Sequence, residues 1–102
     1  MPDDETDLNV ELGNVLRDIR LGKNLRQADI YDHVTGRAYW SELERGIKSP
    51  TVKKLDEISE FLGLHPLTAL AICYSRQRGI TPKQLLKELD KAIAKTKLGA
   101  DE

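Results

Sequence analysis

Apolar residues recur along the chain at spacings of three and four, with polar residues between them. The first such run, Leu12, Val15, Leu16 and Ile19, lines one face of a helix that ends near Gly22, with Asp7 or Asn9 as its cap. Ile30 and Val34 mark the buried side of a short helix from about Gln27 to His33, and Thr35 and Gly36 make a tight turn. Arg37 to Arg45 then form a further helix, stopped by Gly46. Within it Trp40, Leu43 and Glu44 fall on one side; Arg37, Ala38, Ser41, Glu42 and Arg45 fall on the other. Ser49-Pro50-Thr51 opens a fourth helix, in which Val52, Leu55, Ile58, Ser59 and Leu62 keep helical spacing up to Gly63. A fifth helix, from Leu64 or His65 to about Gln77, carries Leu67, Leu70, Ala71, Cys73 and Tyr74, and Gly79 breaks it. Thr81-Pro82 caps a sixth, with a narrow stripe of Leu85, Leu86, Leu89 and Ile93 flanked by lysines. Every segment has the helical period and none alternates, so the expected fold class is all-α.

With 102 residues the chain makes one domain with a modest core, and the absence of β-branched runs fits a helical protein. Residues 1–9 are acidic and polar, which predicts a flexible tail and fits neither a signal nor a transit peptide. Residues 10–78 form the main helical unit, and residues 79–102 add a C-terminal helix. No apolar run reaches the ~18 residues of a membrane span. The single cysteine, Cys73, cannot staple the chain and points to a reducing, cytoplasmic setting.

The formal net charge of −1 conceals an uneven distribution. The first eleven residues hold five acids and no base, whereas Arg17 to Lys54 hold nine Lys and Arg against five Asp and Glu. From Leu55 onward seven bases and seven acids cancel. A local cationic surface therefore surrounds the central pair of helices, and it is modest. Two short helices joined by a small-residue turn, the second with a polar outer face, have the geometry that fits a DNA major groove. Neither His33 nor His65 has Cys or carboxylate companions at metal spacing, so no metal or cofactor is expected. There is no Gly-rich phosphate loop and no nucleophile elbow, and Cys73 has no neighbouring base in sequence, so an enzyme is not expected either.

A set of residues stands at the spacing of a known family: Leu12-Gly13, Leu16-Arg17, Arg20, Leu25, Gln27, Ile30, Ser41, Leu43-Glu44-Arg45-Gly46, Pro50, Leu55, Ile58 and Leu62-Gly63. Over Leu12 to Leu70 the chain resembles the Cro/repressor-type, or XRE-type, helix-turn-helix transcriptional regulators. The resemblance implies a five-helix DNA-binding domain, here with an additional C-terminal helix, of a kind usual in bacterial and phage regulators that bind operators as dimers. Two features depart from the family pattern: Tyr31 stands where a small residue is usual, and the two-residue turn is about one residue short.

The resemblance also assigns roles. Gln27, with Arg26 beside it, would meet a DNA phosphate at the start of the first motif helix. Arg37, at the front of the recognition helix, would pair with a guanine edge, or else with phosphate. Ala38 would face a thymine methyl or simply keep the helix slim, and Ser41 and Glu42 are the next base-facing positions; Glu42 would accept from cytosine N4, or else repel wrong sequences or face solvent. Tyr39 would lie against the sugar-phosphate backbone, and Arg45 and Lys48 would hold phosphates past the helix end. Arg20 and Glu44 would form a structural ion pair. The stripe Leu85, Leu89 and Ile93 would either pack on its own domain or form a homodimer interface. The expected partner is double-stranded DNA with a palindromic operator. The alternative is an antitoxin-like module that neutralises a protein partner through its C-terminal helices.

Overall fold

The computed structural model describes residues 5–99, which form six α-helices and, among these residues, no strand. They are α1 (Glu5–Gly22), α2 (Gln27–Tyr31), α3 (Arg37–Glu44), α4 (Val52–Leu62), α5 (Thr68–Arg78) and α6 (Pro82–Thr96). The all-α expectation holds.

Amphipathic periodicity translates into a shared core. Leu12, Val15 and Leu16 of α1 meet Ile30 of α2, Trp40 and Leu43 of α3, Ile58 and Leu62 of α4, and Ala69 and Cys73 of α5. The long first helix is the spine: α3 and α5 both pack on it, α2 packs on α3, and α6 packs on α5. Gly13 permits the closest crossing, because a Cβ there would run into the Leu43 carbonyl oxygen and lie 2.7 Å from that of Glu44. Gly46 serves the same helix pair, turning the chain after α3 at φ +76° where the Val10 backbone leaves no room for a side chain. On the far side of α1, Arg76 of α5 reaches Asp18 at 3.0 Å and Glu11 at 3.7 Å.

Several boundaries differ from those read in the sequence. α1 begins at Glu5, so residues 5–9 are helical where a flexible tail was expected, and neither Asp7 nor Asn9 is its cap; residues 1–4 lie outside the described residues. Gly22 is the last residue of α1, and the left-handed position that closes it belongs to Asn24, at φ +59°. α2 stops at Tyr31, two residues before His33. The link to α3 is therefore Asp32 to Gly36, and the turn is not short. α5 starts at Thr68, not at Leu64 or His65, because the His65 carbonyl and Nδ1 accept the N–H groups of Thr68 and Leu67 in a preceding turn. Val52, counted with the buried stripe of α4, is 88% exposed.

The caps of α4 and α6 are as expected. Thr51 Oγ1 accepts from Lys54 N–H at 3.0 Å, and Thr81 and Gln84 form a reciprocal capping box with Pro82 in the first turn. Gly63 and Gly79 close α4 and α5 in the left-handed conformation.

Candidate nucleic-acid interface

The central pair is held by one carboxylate. Glu44, near the end of α3, is buried and accepts four hydrogen bonds. Arg20 of α1 donates through Nε at 2.6 Å and Nη2 at 3.2 Å, Trp40 through its indole Nε1 at 2.8 Å, and Gln27 of α2 through Nε2 at 2.8 Å. Arg20 also donates to the Leu25 carbonyl at 2.9 Å, fixing the segment that leads into α2. The ion pair implied by the resemblance is present, and Trp40 lies in the core as expected, fully buried. Sequence reasoning missed the links of Trp40 and Gln27 to Glu44. A buried indole N–H needs an acceptor, and Glu44 sits four residues on, one helical turn away, so the Trp40 link was open to inference.

The turn is braced from α4. The His33 ring stacks on Phe61, with centroids 5.6 Å apart and planes 21° from parallel, and its Nδ1 lies 2.9 Å from the Asp29 carbonyl oxygen. Lys54 places Nζ 3.4 Å from the Val34 carbonyl and 2.9 Å from Glu57, whose carboxyl it holds below the usual carboxylate range. Both contacts span 20 or more positions and leave no local pattern to read.

With one side of α3 fixed, the other faces outward. Arg37, Ala38 and Arg45 are exposed, and Tyr39, Ser41 and Glu42 are half-buried. Arg37 and Arg45 form no ion pair among the described residues. Arg26, exposed at the start of α2, pairs with Asp29 at 3.0 Å, and the other oxygen of that carboxylate accepts the Arg26 N–H at 2.7 Å. These hydrogen bonds lower the Asp29 pKa and raise that of Arg26. Lys48 folds back from the loop after α3, 5.7 Å from the centre of the Tyr39 ring and 3.4 Å from the Glu42 carboxylate. The predicted residues thus gather around α3 and the start of α2; Gln27 turns inward to Glu44, and Tyr39 packs partly against the core.

The C-terminal stripe is split. Leu85 is buried against α5 and lines the inner wall of an apolar groove. Leu86, Leu89 and Ile93 remain 57%, 43% and 53% exposed. With Leu67, Leu70 and Tyr74 of the α5 side they line an open apolar groove of about 480 Å³. The apolar residues of α5 serve two surfaces, Ala69 and Cys73 in the core and Leu70, Ala71 and Tyr74 in the groove. Burial raises the Cys73 thiol pKa to about 11, with Glu11 adding to the shift and Arg76 opposing it, so the thiol stays protonated near neutral pH. Among the described residues no three His, Cys, Asp or Glu side chains converge as metal ligands, and no helix is long and apolar enough to cross a membrane.

The architecture is an all-helical domain built on a helix–turn–helix pair. No protein-family model matches the chain, and no curated protein does either. Among solved structures, the chain is similar to the crystal structure of the clp gene regulator ClgR from Corynebacterium glutamicum. The TM-score is 0.65 over 87% of this chain and 88% of that one, at 23% sequence identity. A likeness at that identity shows a shared fold, and it extends through nearly the whole of both chains.

Proposed function

We propose that the chain is a sequence-specific, double-stranded DNA-binding transcriptional regulator of the XRE type, with α3 as its recognition helix and a homodimer as the binding species. One observation carries the reading: the two sides of α3 have separate tasks. Trp40, Leu43 and Glu44 lock it to α1 and α2, while Arg37, Ala38, Ser41 and Glu42 stand outward with no part in the core. A helix held rigidly, with a slim polar outer face and a free arginine in its first turn, can enter a major groove and present that arginine to guanine. Arg26, Arg45 and Lys48 flank the helix where phosphates would run, and Gln27, whose amide has two N–H groups, keeps one for a phosphate after giving the other to Glu44. The fold shared with a clp gene regulator supports the same reading.

Charge and exposure support the dimer. A monomer with so small a cationic surface has few phosphate contacts to offer, whereas a twofold pair doubles them. The groove beside Leu86, Leu89 and Ile93 is the surface through which two copies would associate. Two recognition helices would then lie about 34 Å apart and read a palindromic site. Repression by occupying a promoter is the simplest consequence.

The test is selection of duplexes from a random-sequence pool, followed by fluorescence anisotropy of the winners against scrambled controls at several salt concentrations. One palindromic sequence should emerge, bound by two chains with a steep salt slope. In Arg37→Ala, discrimination should relax at one position per half-site by ~1–3 kcal/mol. Equal weakening on all sequences would move Arg37 to phosphate, and a protein that selects nothing would end the DNA-binding reading.

A further inference from the structure

Lys48 and Glu42 occupy each other on the outward side of α3. The ammonium and the carboxylate are 3.4 Å apart, and both side chains stay within reach of solvent, 52% and 30% exposed. The loop is also tied to the same residue through its backbone, since the N–H groups of Ile47 and Lys48 donate to the Glu42 carbonyl at 2.9 and 3.3 Å. Tyr39, one turn earlier on α3, supports the ammonium with its ring face. A phosphate approaching this end of α3 therefore meets a cation already paired with a carboxylate. That distinguishes Lys48 from Arg37 and Arg45, which have no ion-pair partner among the described residues.

We propose that Glu42 determines specificity by exchange. On an arbitrary duplex it keeps Lys48 from phosphate; where a cytosine N4 amino group takes the place of the ammonium on the carboxylate, Lys48 is released to the backbone. The proposal rests on the DNA-binding reading above. Its physical basis is that a docked carboxylate needs a donor. Facing base acceptors or phosphate oxygens it is repelled, and the pair with Lys48 then persists, so the complex lacks one phosphate contact. Facing cytosine it accepts an N–H, and the long flexible lysine can turn to a phosphate. A single base contact thereby also changes the number of phosphate contacts, which gives this position more discrimination than either contact alone.

The probes are a duplex enriched by the wild-type chain from a random pool and a scrambled duplex of equal composition, compared by fluorescence anisotropy across salt. Glu42→Ala should bind the scrambled duplex roughly two- to fivefold more tightly, the worth of an exposed ion pair. Its salt slope there should steepen by about one phosphate contact. On the enriched duplex it should bind about tenfold more weakly. Glu42→Gln loses the charge but keeps an acceptor oxygen, so it should gain on the scrambled duplex and retain most of its affinity for the enriched one. Lys48→Ala should lose affinity on the enriched duplex and little on the scrambled one. If Glu42→Ala moves both affinities in the same direction, the exchange is overturned while the DNA-binding reading stands. If the wild-type chain enriches no sequence, that reading fails and the exchange falls with it.

Discussion

Glu44 shows what one residue can do for this fold. Its two oxygens together accept four hydrogen bonds, which fills the capacity of a carboxylate and joins three helices at one point. Arg20→Ala should therefore cost ~3–5 kcal/mol in urea-induced unfolding, because it leaves a buried carboxylate without its charge partner. Replacing both Arg20 and Glu44 by apolar residues often recovers such a loss, but here it should not. Trp40 Nε1 would remain as a buried donor without an acceptor, and Gln27 would lose its partner. A double variant as stable as wild type would show that the network contributes little. The ion pair was legible in the sequence only through resemblance, since Arg20 and Glu44 lie 24 positions apart. Trp40 was legible as a core residue from its spacing with Leu43 together with the apolar position that the resemblance gives it. Gln27 was assigned to phosphate, and nothing local announces that its amide also faces Glu44.

Among the elements, those with strong end signals were the most legible. Thr51 and Thr81 before their helices, and Gly63 and Gly79 after theirs, mark α4 and the turn into α6 closely. α2 was misjudged because its end has no such mark. The Val34 N–H still donates to the Ile30 carbonyl at 2.8 Å, so helical spacing continues into a turn that has already left the helix. α1 was misjudged at its start because the acidic composition of residues 1–9 was read as a tail, whereas the helix already runs from Glu5. The attitude of α3 depends on Gly13, where α1 and α3 cross with backbone carbonyls in the way of any Cβ. Carbonyls within a helix cannot step aside singly, so Gly13→Ala must lift α3 from α1. A loss of ~1–3 kcal/mol in unfolding free energy is expected, despite the better helix propensity of alanine. On the DNA-binding reading proposed above, affinity should fall on every sequence alike, because the same shift moves Glu44. A Gly13→Ala chain as stable and as active as wild type would mean that the crossing is looser than the close approach implies.

At the scale of the whole molecule, the outward side of α6 poses the remaining question. Leu86, Leu89 and Ile93 repeat at three and four positions, the spacing of a helix face made to meet a groove, and the groove lies alongside them between α5 and α6. Wall and anchor residues thus belong to the same surface, which is what a twofold contact requires. The sequence marked this stripe but could not separate its members. Leu85 and Leu89 read alike in a helical pattern, and only the packing of α6 on α5 shows that Leu85 is buried while Leu89 stays 43% exposed. Leu89→Asp is therefore the informative variant. At 43% exposure the aspartate can reach water, so the isolated fold should persist, with an unchanged helical circular dichroism signal. A dimer burying this position would have to desolvate two carboxylates in an apolar contact, a cost that should shift the chain to monomers in sedimentation equilibrium. Monomers would place one recognition helix on each half-site, so affinity for the full palindrome should drop towards that for a half-site, while base preference within the half-site is kept. A variant that stays dimeric would move the interface elsewhere and leave the groove for a different protein. A monomeric variant that binds the palindrome as tightly as wild type would remove dimerisation from the proposed mode of DNA recognition.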